Sequence, residues 1–390
     1  MSDWKIVAVG DIATIERQVV SAESIKNGTK YVGLENIQPG GALVGVKSVE
    51  EGELASAKLA FSGEHILYGK LRPYLAKIAR PDFSGVCSTD ILPIKPGPKV
   101  LRDYLLFYLR QPSVIKIASS LATGASLPRL SQAMLGRMQV PLPSLSEQRR
   151  ITAVLDQADA LRAKRRETLA ELDELIDSVF LDMVGDPGCN PRSWPVVRLG
   201  DLLVEGPQNG LYKPSSSYGR GVRILRIDSF RSGAIGGLEL LKRVDASEDE
   251  VALYGLRNED IVLNRVNSIE HLGKSVLIPA ISEPLLFESN MMRFRVDSAR
   301  LLPRYAAQVL SSRYAQRYIV QSAKQAINQA SINQRDVREF QFPLPPLDLQ
   351  HEFARRVEAI ERMKESQRAH LAELDALFAS LQDRAFRGEL

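Results

Sequence analysis

The residues best suited to chemistry in this sequence are basic, amide and aromatic side chains gathered in three short stretches. YGKLRPYLAKIAR, residues 68–80, interleaves Lys70, Arg72, Lys77 and Arg80 with Tyr68 and Tyr74. LYKPSSSYGRGVRILR, residues 211–226, carries Tyr212, Lys213, Arg220, Arg223 and Arg226, and LNRVNSIEHLGK, residues 263–274, carries Asn264, Arg265, Asn267 and Lys274. Lys and Arg neutralise phosphates, and Arg, Asn and Gln pair through two hydrogen bonds with base edges in the major groove, so these residue types suit duplex DNA. Arg129 joins them from a polar loop with Ser126 and Gln132, while Asn328, Gln329, Asn333 and Gln334 fill a similar loop later in the chain. A lone surface Lys or Arg is usually a solvated charge. The clusters therefore carry the reading, and Arg129 and the loop amides fit ordinary loop chemistry equally well.

Bond-making chemistry has no comparable support. The four histidines, His65, His271, His351 and His370, are scattered and lack the paired spacing of a zinc hydrolase. There is no Gly-Lys-Ser/Thr phosphate loop, no G-x-G-x-x-G, and no Asn-Pro-Pro-aromatic stretch of an adenine methyltransferase. Ser and Asp are abundant, yet no motif ties them into a triad. Cys87 and Cys189 stand far apart, which argues for a reducing compartment without disulfides or a zinc cluster. A net charge of +4 leaves any polyanion to be met by local surfaces and not by a field from the whole chain. No apolar run approaches membrane-spanning length and the start lacks a signal-type tract. A cytoplasmic protein with no metal and no cofactor of its own is expected.

The elements that must position the clusters are legible through a repeat. LAELD occurs at Leu169–Asp173 and again at Leu371–Asp375, and QVPLPSL at residues 139–145 faces QFPLPPL at residues 341–347 at the same offset of 202. A weaker echo links WKIVAVGDI (4–12) with WPVVRLGDL (194–202), and GEHILYGKLR (63–72) with NEDIVLNRVN (258–267). The letters leave open whether Asn264 and Arg265 stand in for Lys70 and Arg72. Each half opens with a segment of mixed signals. Runs such as YVGLENI, HILYGKL, RILRIDSF, DIVLNRV and MMRFRV read as strands, and residues 101–120 and 302–324 have helical spacing, so each segment is α+β.

The Pro-Leu-Pro motifs at Pro141–Pro143 and Pro343–Pro345 mark sharp boundaries, after which a long helix is predicted, capped at Ser146 or Asp348. The first helix sets Ile151, Leu155, Ala158, Arg162, Arg165, Leu169, Leu172, Ile176, Val179 and Met183 at alternating spacings of four and three. The second sets Phe353, Val357, Ile360, Lys364, Gln367, Leu371, Leu374, Phe378, Leu381 and Ala385 in the same phase, which is a coiled-coil seam in both. The polar interruptions at Arg162 and Arg165, and at Lys364 and Gln367, either meet in the paired helices or extend to water. The pattern does not separate parallel from antiparallel pairing; a pseudo-twofold repeat favours antiparallel. A helix of about 38 residues makes a rod of roughly 57 Å, a reach that merely completing a core does not require.

The duplicated order of these pieces resembles the DNA specificity subunit of type I restriction and modification enzymes. The likeness spans the W-x-V-x-x-G-D openings, YGKLRPYLAK, the Q-x-P-L-P-x-L-x-x-Q boundaries at Gln139–Gln148 and Gln341–Gln350, and the two helices. It implies two mixed α/β target recognition domains, residues 1–145 and 186–345, separated by two long antiparallel coiled-coil helices, residues 146–185 and 346–390. It also implies a non-catalytic chain that reads a bipartite, asymmetric site on double-stranded DNA. Two modification subunits, which hold S-adenosylmethionine and methylate adenine, would dock on the helices, and restriction subunits with translocase activity would join them. The residues expected to touch DNA are Lys70, Arg72, Tyr74, Lys77 and Arg129 in the first half. In the second they are Tyr212, Lys213, Arg223, Arg226, Asn264, Arg265, Asn267 and Lys274. A stand-alone DNA-binding regulator and a coiled-coil protein adaptor that ignores DNA are the two other readings of the same residues.

Overall fold

A computed structural model describes residues 4–50, 52–231, 234–326 and 329–390; Asn328, one of the loop amides named above, lies outside them. Two helices dominate the chain, Leu145–Val184 of 40 residues and Leu347–Arg387 of 41. Both begin slightly earlier than the expected caps. Ser144 Oγ accepts from the Glu147 N–H at 3.3 Å, and Pro346 O accepts from the Gln350 N–H. Proline has no N–H to leave unsatisfied, so it tolerates a helix entrance, and Asp348 falls inside the first turn, where its charge opposes the helix dipole. None of the described helices is long and apolar enough to cross a membrane.

The chain divides into two compact units, one formed by Met1–Glu167 with Arg368–Leu390, the other by Thr168–Gln367. Each unit contains half of both long helices. In the first unit Arg150 donates to the carbonyl of Leu390 while Arg162 pairs with Asp375. One residue number rises as the other falls, so the segments are antiparallel. The same holds in the second unit, where Lys364 meets Asp173 and the rings of Phe353 and Phe180 lie 5.6 Å apart. No seam position of either helix is exposed.

Two of the polar interruptions, Lys364 and Arg162, do not reach out to water. Lys364, with a side chain only 3% exposed, bonds Asp173 at 2.6 Å and Glu361 at 2.7 Å. Arg162 bonds Asp375 at 2.6 Å and Asp159 at 2.8 Å, and its guanidinium lies 4.2 Å from the Phe378 ring centre. Their cross-helix partners are the closing aspartates of the two LAELD copies, not the opposing polar seam positions. The repeated pentapeptide thus supplies an acid to each unit for the same job.

Each unit attaches its helices to an α+β body by the same contacts. The opening strand pairs antiparallel with the proline boundary, Lys5–Ala8 on Gln139–Leu142 and Val196–Arg198 on Gln341–Pro343. Four-stranded sheets follow. The first is ordered Ala13–Ile15, Ile91–Pro96, Ile66–Gly69, Ile78–Ala79; the second Leu203–Asn209, Met291–Val296, Ile261–Asn264, Ser275–Leu277. The helical stretches 101–120 and 302–324 each break in two, at Pro112, whose ring starts a new helix, and at Ser312, which caps one by accepting from the Ala315 N–H. Tyr104 and Tyr305 donate their hydroxyls to Pro141 O and Pro343 O, and pack on Phe386 and on Phe180 with Phe353. Burying aromatic rings of this kind stabilises by about 1.5–3 kcal/mol each, which anchors both bodies to the frame.

Candidate nucleic-acid interface

In the first unit the strand Ile66–Gly69 runs straight into the basic loop. Lys70 N donates to Asp90 O at 2.9 Å, Leu130 N to Lys70 O at 2.9 Å, and Arg72 N to Pro128 O at 2.7 Å. The loop 70–77 is therefore stitched to the segment 123–130, which is itself closed by mutual bonds between Thr123 and Arg129 at 3.0 and 2.8 Å. Arg72 has a left-handed backbone, φ 51°, and buried Pro73 follows it, so Arg72 and Tyr74 are held out at the surface. Lys70 and Arg129 flank the Asp90 carboxylate at 3.6 and 3.5 Å. Lys77 is more constrained, because its Nζ donates to Leu34 O at 2.6 Å.

The second unit repeats this backbone with other side chains. Asn264 N donates to Lys274 O at 2.8 Å, as Gly69 N does to Lys77 O. Arg265 N donates to Asn290 O at 2.9 Å and Ile332 N to Arg265 O at 3.0 Å, while Val266–Asn267 pairs with Gln329–Ser331. Arg265 thus occupies the place of Lys70, Asn267 that of Arg72, Lys274 that of Lys77, and Asn264 that of Gly69. The pairing of Asn264 and Arg265 with Lys70 and Arg72 that the letters left open is shifted by one. A Cβ on Gly69 would come within 2.9 Å of the Leu34 side chain and 3.0 Å of Lys77 O. The position faces inward, which explains why the Asn264 side chain is 1% exposed, its amide atoms without a hydrogen-bond partner.

The remaining candidates scatter. Lys213 bonds Glu250 at 2.8 Å, and Arg223 bonds Glu283 at 2.5 Å. Arg226 lies 3.6 Å from both Asp228 and Glu288, with its guanidinium 5.5 Å from the Tyr218 ring centre. Burial pushes the Glu288 carboxyl above the ordinary range. Each of these cations already has a carboxylate, whereas Tyr212 is 77% exposed beside them. Asn267 is half-buried, its side-chain oxygen accepting from Ser268 N at 2.8 Å, and exposed Lys274 meets His271 Nδ1 at 2.8 Å. In the first half Tyr68 is buried in the core, and Arg80 ties the body to the first long helix through Asp156 at 2.7 Å.

A groove in the second unit brings together residues that sequence reasoning partly missed. It is lined by Asn209, Arg265, Asn333, Gln334, Arg335 and Arg338. Asn333 caps the short helix Gln334–Glu339 by accepting from the Arg335 and Asp336 N–H groups, which projects Arg335 and Arg338 one turn apart. Arg338 donates to Gly206 O and Arg335 pairs with Glu339 at 2.7 Å. Three guanidinium groups and three amides suit phosphates and base edges together. The i, i+3 arginines after the amide run were a usable signal; Asn209, more than 100 residues earlier, left none. Among the described residues no group of three or more His, Cys, Asp or Glu side chains could hold a metal ion.

Comparison with known proteins agrees with this architecture. The family model described as "Type I restriction modification DNA specificity domain" matches residues 1–173 and again 191–376. The type I restriction enzyme StySPI specificity subunit of Salmonella potsdam is 27% identical over 314 residues, covering 76% of this chain and 67% of that protein. The EcoKI specificity subunit of Escherichia coli K12 is 25% identical with the same coverage. A crystal structure of the S subunit of a type I restriction–modification system from M. genitalium shares the fold, with a TM-score of 0.52 at 14% identity over 98% of this chain and 96% of that one.

Proposed function

Because this chain belongs to the family of type I restriction–modification DNA specificity subunits, we propose that it reads a bipartite, asymmetric site on double-stranded DNA and docks modification subunits that act there. The observation that carries this reading is the loop pair present once per unit on one backbone plan with unlike side chains. Lys70, Arg72, Tyr74 and Arg129 fill it in the first half; Arg265, Asn267, Lys274 and the groove amides fill it in the second. A common plan delivers each loop pair to DNA in the same way, and unlike side chains give unlike half-sites. The interface narrows accordingly. Asn264 is buried, Lys77 donates to a backbone carbonyl, and Lys213 and Arg223 are held in short ion pairs at 2.8 and 2.5 Å.

The helices support the second part of the proposal. Leu161 and Leu377 are exposed in the first unit, and Met363 and Leu175 in the second. Each stands one position before a seam residue, and the 202-residue offset relates Leu161 to Met363 and Leu175 to Leu377. Within each unit, two such positions of an antiparallel pair share a flank. Exposed apolar residues repeated twice suit two copies of one partner, here the modification subunits, which hold S-adenosylmethionine and carry out the methylation that this chain does not. Restriction subunits with translocase activity complete the assembly.

Two measurements separate this reading from its rivals. The chain purified with the neighbouring modification subunit should form a stable complex; a chain that never associates with it is a regulator acting alone. Binding to mixed-sequence duplex should weaken steeply between 50 and 200 mM salt. Absence of binding at the lower salt leaves only an adaptor.

A further inference from the structure

The basic loop pair of the first unit contains its own anion. Asp90 lies in the turn between the strands Gly85–Cys87 and Ile91–Pro96 and is held there by its backbone. Its carbonyl accepts from Lys70 N at 2.9 Å, and its N–H donates to Ser88 Oγ at 3.3 Å. The carboxylate therefore sits between Lys70 Nζ at 3.6 Å and Arg129 Nε at 3.5 Å, one cation from each strand of the loop pair. That is the position a backbone phosphate would take between two such cations. All three side chains are partly exposed, so these long ion pairs add little stability in water. A group that contributes little to folding, yet neutralises the cations of a polyanion-binding loop, acts chiefly on binding.

The second unit provides an internal comparison. The residue whose carbonyl accepts from Arg265, the counterpart of Lys70, is Asn290, and the partner of Val266 on the adjacent strand, in the place of Arg129, is Ser331. The carboxylate and the second cation are thus present together in one half and missing together in the other.

We propose that Asp90 is an intramolecular phosphate mimic. It competes with DNA for Lys70 and Arg129 and lowers the affinity of the first half for duplex of any sequence, while the neutral Asn290 leaves Arg265 free of such competition. This rests on the DNA-binding reading above. A phosphate that enters must displace the carboxylate, so part of its contact with Lys70 and Arg129 is cancelled. Chains docked on arbitrary sequence through phosphates alone are discouraged most, since they have no base contacts to offset the loss.

The test uses the full chain and a fluorescently labelled mixed-sequence duplex, with affinity measured across a salt series. Asp90→Asn should bind about three- to tenfold tighter at low salt, and its log K against log salt line should steepen by about 0.9, one additional released counterion. The gain should vanish when Lys70→Ala and Arg129→Ala are added, and Asn290→Asp should weaken binding. Thermal unfolding of Asp90→Asn should match the parent, which excludes a folding defect as the cause. Unchanged affinity and slope in Asp90→Asn overturn the proposal, and so does weaker binding, which would make Asp90 a support for its two cations. A parent chain that binds no duplex refutes the DNA-binding reading instead.

Discussion

Gln148 and Gln350 show how much a single buried side chain settles in this fold. Gln148 accepts from Leu101 N at 2.8 Å and donates to Lys99 O and Pro143 O, both at 3.0 Å. Gln350 accepts from Leu302 N at 2.8 Å and donates to Arg300 O at 3.2 Å and Pro345 O at 2.9 Å. Each amide thereby joins a long helix to the proline boundary and to the helix entrance of its α+β body. Leaving these buried backbone groups unpaired costs about 1–3 kcal/mol apiece. Gln350→Leu should therefore lower unfolding free energy by about 3 kcal/mol in denaturant titrations; a loss below about 1 kcal/mol would mean water or a neighbour takes over. The two glutamines were legible as repeated letters, but their role was not, because four of their six partners lie 47 to 50 residues away. The same limit explains the DNA-contact candidates. Nothing near Lys213 or Arg223 announces that Glu250 and Glu283 will pair with them.

At the scale of elements, the paired helices were the most legible part of the chain. A seam at spacings of four and three determines which face is buried without reference to anything else. The ion pairs across it were invisible, since Asp173 and Asp375 stand beside the seam and find their cations only once the helices are antiparallel. Removing one partner of a buried cation costs more than replacing the cation itself. Asp173→Ala should destabilise by about 1–2 kcal/mol, a modest figure because Asp173 is half in water and Glu361 still serves Lys364. Lys364→Met should be close to neutral, and a double-mutant cycle in chemical unfolding measures the difference. If Lys364→Met proves the costlier change, the pair contributes net stability and not chiefly register. Antiparallel halves are consistent with a repeat at one offset, because an insertion in one helix alone would slide the seam residues beyond it past their partners.

Over the whole chain, the two-part organisation was readable from LAELD and the proline motifs, whereas the way the units divide was not. The boundary falls at Glu167 in one helix and Gln367 in the other, inside the helices and not at their ends, because each body packs against halves of both. On the proposed bipartite reading, the spacing between the two DNA half-sites should follow helix length. One heptad inserted after Glu167 and one after Ala369 keeps both seams in phase and lengthens each helix by about 10 Å. The preferred spacer should then grow by about three base pairs at roughly 3.4 Å each, as read by selection from a randomised duplex pool. An unchanged spacer would show that something other than the helices sets it.

The account turns on two unlike readers carried by one repeated frame, and sequencing of methylated sites in cells that express this chain with the proposed modification and restriction subunits tests that most directly. The expected result is one interrupted motif with two different halves, and replacement of residues 186–345 by the same segment of another specificity subunit should change one half and leave the other intact. A single uninterrupted motif, or a replacement that alters both halves at once, would contradict it.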